Sequence, residues 1–142
     1  MKIVLDTNII LSALFSKNGS SNKVLIWLFK NQEKINVISN TLLSEYCDVL
    51  LREENLKQYS NLSKMDIELF LDDICLISHH QNINFLWRPF LKDIKDDMVL
   101  EVAFNANANF IVTNNIKDFK NIEKNFNIKV VTSKEFLKII GE

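Results

Sequence analysis

The chain has 142 residues, close to the commonest single-domain length, so one compact unit spanning 1–142 is expected. Hydrophobic residues make up 47% of it and ten are Phe, which excludes a disordered chain. A formal net charge of −1 excludes attachment to nucleic acid by bulk positive charge, while leaving room for a local basic rim.

Only two Gly and one Pro occur, so long elements with short connections follow. Residues 2–5 form a buried-type strand that stops at Asp6, and 9–15 then read as a helix. Ser20 or Ser21 caps a helix running to about Lys30, with Val24, Leu25, Leu28 and Phe29 along one side. A second strand at 35–39 leads into a helix from Thr41, whose apolar stripe is Leu42, Leu43, Tyr46, Val49 and Leu50. Ser63 opens a further helix ending at Asp72 and Asp73, and the apolar run 74–77 reads as a third strand. An irregular stretch follows, then a helix at 96–107, strands at 110–113 and 129–132, and a last helix capped by Ser133. Strands alternating with helices predict βαβ units and a parallel sheet covered by helices on both faces. In such sheets ligands sit beyond the carboxyl ends of the strands, which directs attention to the residues after each strand.

Those residues are acidic. Asp6 ends the first strand, where it serves either as a helix cap with Asn8 or as a carboxylate in the crevice. Glu45 lies at the edge of its helix's apolar stripe, within reach of the same crevice. Asp93, Asp96 and Asp97 open a helix that is otherwise apolar nearly all round, and Asp97, Glu101 and Asn105 form one narrow polar stripe. Asp97 is therefore expected to face a cleft or solvent and not the core. Three acids at a helix start are more than a cap requires, and their repulsion calls for a counter-charge. Thr113, Asn115 and Asp118 follow the next strand, where turn chemistry accounts for the Asn residues equally well. If these groups converge they form an oxygen-only site, which suits Mg2+ or Mn2+ and not zinc. A water activated there would cut a phosphodiester without a protein nucleophile, leaving 5′-phosphate and 3′-hydroxyl ends.

The segments Lys-Ile-Val-Leu-Asp6-Thr7-Asn8-Ile-Ile-Leu-Ser12, Leu-Ser-Glu45, Asp93-Ile-Lys-Asp96-Asp97-Met-Val-Leu-Glu-Val-Ala103 and Phe-Ile-Val-Thr113-Asn-Asn115-Ile-Lys-Asp118-Phe119 together resemble the PIN-domain ribonucleases. The closest likeness is to the toxins of bacterial toxin–antitoxin pairs, and it extends over essentially the whole chain. The resemblance implies a three-layer α/β/α sandwich with a central parallel five-stranded sheet of order 3-2-1-4-5. It also implies a Mg2+- or Mn2+-dependent endoribonuclease acting on RNA, a small antitoxin protein as partner, and a homodimer. By position, Asp6, Glu45 and Asp97 match the acids most members share. Many members carry a fourth Asp where this chain has Asn115, and Asp118 stands near enough to replace it. Thr7, Asn8, Ser12, Asp93, Thr113 and Asn115 are implied as supporting residues around the ligands.

Other features point less far. Cys47 and Cys75 have no Cys or His at ligand spacing and read as free thiols of a reducing compartment. With an acid at the sixth position, and no apolar run of membrane-spanning length, the chain is expected to be cytoplasmic and free of membrane. His79 and His80 read as solvated loop residues. The aromatic–basic cluster Phe85-Leu-Trp87-Arg88-Pro-Phe90 is expected to pack on the core or in a dimer contact, with base stacking as the alternative. Lys117, Lys120 and Lys124 form the one lysine run near the presumed site. The competing functions are a catalytically weakened module that binds RNA or protein, motivated by Asn115, and a phospho-acceptor receiver domain. A receiver needs its acceptor Asp after the third strand, where this chain has histidines.

Overall fold

The computed structural model describes residues 1–84, 91 and 93–142, so the cluster from Phe85 to Phe90 lies outside the described residues. The chain opens with β1 (Ile3–Leu5), whose three side chains are fully buried. Helices α1 (Thr7–Phe15) and α2 (Ser20–Lys30) follow, packed on each other. Gly19, and not Ser20 or Ser21, holds the cap position of α2, and no side chain caps it. Both serines instead meet Ser133, Ser20 at 2.6 Å, which brings α2 close to the last helix.

Next come β2 (Val37–Ile38), α3 (Asn40–Leu50) and the short α4 (Glu53–Leu56). The Ser39 hydroxyl caps α3 by accepting the Leu42 N–H at 3.1 Å. Helix α5 (Lys64–Ile77) starts with a capping box in which Ser63 and Asp66 satisfy each other's backbone N–H groups. It does not stop at Asp73. Ile67, Leu71 and Ile74 are buried at helical spacing, so 74–77 continues the helix and is not a strand. The third strand, β3, is His79–His80.

Helix α6 (Ile94–Asn105) begins at an Asp93 cap and is buried over most of its circumference. Strand β4 (Phe110–Val112) leads through a 3-10 turn (Ile116–Phe119) to α7 (Ile122–Phe126), β5 (Lys129–Val131) and α8 (Ser133–Ile139). Thr132, one residue before the expected Ser133, caps α8 in a second capping box with Glu135.

All strand pairings are parallel, and the protein is an α/β fold with helices packed in two groups. One group is α1, α2 and α8; the other is α3 and α6, with α3 also packed on α1 and α6 lying against β1 and β4. The sheet itself is more broken than expected. Strands β1, β4 and β5 form one ladder in the order β1-β4-β5, while β2 and β3 form a second. A single bridge between Ile3 and Asn36 joins them, which gives the sequence 3-2-1-4-5 across a seam. Asn36 stands at this seam, its backbone carbonyl accepting the His79 N–H at 2.8 Å. Its side-chain amide turns to donate to Ser78 Oγ at 2.8 Å, and its buried Oδ1 has no partner. Among the described residues no helix is long and apolar enough to cross a membrane.

Candidate acidic site

The first ladder ends at Asp6. Its backbone N–H donates to the Val112 carbonyl at 2.9 Å, so Asp6 closes the pairing of β1 with β4 before the chain turns into α1. Its side chain then caps that helix, with Oδ1 accepting the Thr7 N–H at 2.8 Å. Oδ2 accepts the Thr113 hydroxyl at 2.7 Å and the Asn8 amide at 3.1 Å. The same two residues secure the loop after β4. Thr113 Oγ1 accepts the Asn115 N–H at 3.0 Å, and Asn8 Oδ1 accepts the Asn114 N–H at 3.2 Å. Capping and site-building are thus not alternatives for Asp6; both oxygens are oriented by the cap and the strand-four loop together. Burial pushes its carboxyl above the ordinary 3.8, and the Thr113 hydrogen bond opposes that rise.

Two further carboxylates look toward Asp6. Asp118, on the 3-10 turn, is exposed, and Asp96, in the first turn of α6, is 9% exposed. Burial, then the charges of Asp6, Asp118, Asp93 and Asp97, push the Asp96 carboxyl from 3.8 to about 7. Its side chain has no hydrogen bond or ion pair among the described residues. Asp93, Asp96 and Asp118 line one pocket of about 440 Å³ with Leu91, Lys117, Lys120 and Asn121.

Asp97 and Glu45 are placed differently from the sequence expectation. Asp97 is fully buried, facing neither cleft nor solvent, and its Oδ1 accepts the Leu91 N–H at 2.8 Å. It braces the chain entering α6. Glu45 is half-buried, lies 3.6 Å from Lys95 Nζ, and opens on a neighbouring hollow with Asn40, Thr41, Ser44, Asp48 and Met98. Ser12 lies one turn beyond Asn8 on α1 and is half-buried; its carbonyl accepts from Ser16. Asp93 caps α6 through the Lys95 N–H at 3.0 Å, and Asn115 is exposed.

Sequence reasoning passed over Asp96 as a site residue in favour of its neighbour. The signal was present in the cap. With Asp93 as the cap, Asp96 is the third helical residue, where an acid ordinarily reaches back to the cap's N–H. Asp66 and Glu135 do so in their helices, whereas Asp96 turns into the pocket.

One neighbour deserves mention for its chemistry. The fully buried Tyr46 of α3 donates its hydroxyl to the Leu5 carbonyl, immediately before Asp6. Burial, and then the Asp6 charge, push its phenol well above 10. It stays a neutral donor that pins the end of β1.

The acids fit a hard divalent cation in donor type and in charge, because every side-chain donor is oxygen and Asp96 lacks a counter-charge. They are not already gathered as a cage: among the described residues, no three His, Cys, Asp or Glu side chains stand close enough to hold an ion. Fold and site together define a parallel α/β protein with an acidic, oxygen-lined pocket at the carboxyl edge of its strands.

A family model for the PIN domain matches residues 2–117. The chain belongs to the PIN-domain family, whose members are typically nucleases. It is similar to an uncharacterized protein of Methanocaldococcus jannaschii, 26% identical over 148 residues that cover 97% of this chain and 90% of that one. Among solved structures it is similar to VapBC2 from Rickettsia felis, determined bound to a DNA fragment from its promoter. The TM-score is 0.57 at 20% identity, over 93% of this chain and 98% of the other, and the likeness establishes the fold.

Proposed function

We propose that the chain is a divalent-metal-dependent endoribonuclease and the toxin of a toxin–antitoxin pair. The observation that supports the catalytic part is the acidic group Asp6, Asp96 and Asp118, where burial first and the surrounding acids second raise the Asp96 carboxyl to about 7, and Asp96 forms no ion pair among the described residues. On this reading Asp6, Asp96 and Asp118, with Glu45 and Asp97, are the acids that would have to draw together around Mg2+ or Mn2+, since no three of them already stand close enough to hold an ion. Such an ion, when bound, supplies Lewis acidity at the scissile phosphate and a water ionised near neutral pH. The chain's own residues supply orientation. Thr7, Asn8 and Thr113 hold both Asp6 oxygens in one direction, so little reorganisation is needed when a ligand arrives. The toxin part leans on the fold shared with VapBC2. A small protein antitoxin as partner belongs to the same reading, and a homodimer and a cytoplasmic setting, in keeping with the free Cys47 and Cys75, are proposed with it.

Purified protein should degrade RNA with Mg2+ or Mn2+ and stop in EDTA. Asp6→Asn and Asp96→Asn should abolish cutting while circular dichroism stays native. Cleavage in EDTA, or full activity in Asp96→Asn, would sink the carboxylate reading. For the toxin role, expression should arrest growth of a bacterial host, and Asp96→Asn should relieve the arrest.

A second reading, a catalytically weakened module that binds RNA or protein, is favoured by two observations. The described acids form no ready metal cluster, and Asn115 supplies an amide where many members have a carboxylate. Calorimetry showing no divalent-ion binding, together with no product from varied RNAs, would select it.

A further inference from the structure

Beside the acidic pocket lies a second hollow of about 470 Å³, and the two share Lys117, Lys120 and Asn121 as a common wall. The second hollow adds Lys124, Ile116, Phe119 and Val130. We propose that this trough is the track along which a single-stranded RNA backbone runs to or from the cleavage point, with Lys124 as a phosphate contact outside the acidic pocket and Lys120 as one on the wall that the two hollows share. The proposal rests on the nuclease reading above and names how that site holds its substrate.

Three features carry it. First, Lys117, Lys120 and Lys124 are all exposed, and none is ion-paired among the described residues. In a chain of net charge −1 this is a local concentration of free positive charge, set directly against the most acidic pocket. Second, the backbone is built to face them the same way. Asn121 adopts a left-handed conformation at φ 69°, turning the chain between the 3-10 turn and α7 so that Lys120 and Lys124 border one hollow. Third, the competing charge is tied up. Glu123, on the same wall, has Oε1 accepting the Val130 N–H at 3.0 Å. Between the lysines the lining is apolar, with Ile116 39% exposed, so phosphates find cations while sugars and bases meet hydrocarbon. Phe119 is buried, so among the described residues the trough offers lysines and hydrocarbon and no open aromatic face.

The test separates binding from cutting. Anisotropy of a short fluorescein-labelled single-stranded RNA is measured in EDTA, over roughly 50–200 mM salt, for the wild type, Lys124→Ala, Lys120→Ala/Lys124→Ala and a Lys64→Ala control on α5. Each trough lysine removed should weaken binding about 3-fold at the low-salt end and reduce the salt slope by about 0.7. The control should match the wild type. In the presence of Mn2+, Lys124→Ala should raise KM and leave kcat unchanged, since Lys124 does not line the acidic pocket. Wild-type binding without salt dependence, an unchanged slope in the double variant, or an equal loss in the control would overturn the proposal. So would tighter lysine-dependent binding of oligoglutamate than of RNA, which would assign the trough to an acidic protein partner. Lysine-dependent RNA binding without any cleavage would leave the track standing and reject the nuclease reading. Cleavage with lysine-independent binding would do the reverse.

Discussion

Replacing Asp96 by Asn should make the metal-free protein more stable, although it removes a proposed ligand. The Asp96 carboxyl is raised from 3.8 to about 7, first by burial and then by four acidic neighbours. A raised value means the folded state prefers the protonated form, so this group's contribution is intact below about pH 3.8. It is lost progressively as pH rises to about 7, where the folded state must ionise Asp96 among like charges. At 1.36 kcal/mol per unit the full shift corresponds to a ceiling of about 4 kcal/mol. The carboxyl opens onto a solvent-filled pocket that screens these charges, so a gain of about 1–2 kcal/mol is expected. Urea unfolding in EDTA should therefore show Asp96→Asn more stable than the wild type at pH 8 and indistinguishable from it near pH 4. Adding Mn2+ should reverse the order by stabilising only the wild type appreciably. A variant less stable than the wild type at pH 8 in EDTA would refute the reasoning, because Asp96 would then be held by a favourable contact.

Thr113→Val should cost about 2 kcal/mol in denaturant unfolding, since it strips a 2.7 Å hydrogen bond from buried Asp6 and leaves the Asn115 N–H without its acceptor. Unchanged stability would mean that the loop after β4 is not anchored through this hydroxyl. Backbone and side-chain hydrogen bonds from Ser63 hold the Asp66 carboxyl below 3.8. Its contribution is therefore present above 3.8 and lost as pH falls through the lowered value. Asp66→Asn should lower the melting temperature at neutral pH, with the difference shrinking in acid. Burial pushes the Tyr59 phenol up to about 12, and its hydroxyl donates to the Leu50 carbonyl at 2.7 Å. That contribution is whole below pH 10 and lost as pH rises toward 12. Tyr59→Phe should cost about 1 kcal/mol at neutral pH and flatten the alkaline loss seen by circular dichroism.

Much of this architecture is written locally. The run from Ile3 to Leu5 is too apolar for anything but a strand buried on both faces, and an acid after it marks the sheet edge. What failed were decisions that local pattern does not determine. Residues 74–77 are apolar in either a strand or a helix, and only the Ser63 capping box together with burial at 67, 71 and 74 shows that the helix runs on. Asp96 and Asp97 are adjacent, so a helix turns them about 100° apart, and which one meets Asp6 depends on how α6 packs against β1 and β4. Polar striping favoured Asp97 because it aligns with Glu101 and Asn105. The fold buries Asp97 and Glu101, leaves Asn105 half-buried, and sets Asp96 on the pocket. The seam at Asn36 was invisible for the same reason, since which backbone groups pair across it is decided only when the ladders meet in three dimensions.

That seam divides the acids by address. Asp6, Asp96 and Asp118 belong to the body built around β1, β4 and β5, whereas Glu45 rides on α3, directly after β2 of the smaller ladder. The Ile3–Asn36 bridge and the Ile3 N–H bond to the Ile35 carbonyl tether that smaller ladder at the start of β1. The Tyr46 hydroxyl reaches the Leu5 carbonyl at the strand's end, and α3 packs on α1 and α6. Opening at Asn36 would be a smaller event than opening between β1 and β4, where a full parallel register must separate. Hydrogen exchange should accordingly find amides of 36–38 and 79–81 less protected than those of β1 and β4. On the proposed reading, in which Glu45 and Asp6 serve one site, that site is assembled only while both ladders are docked, and the distance between the two residues reads out the integrity of the sheet.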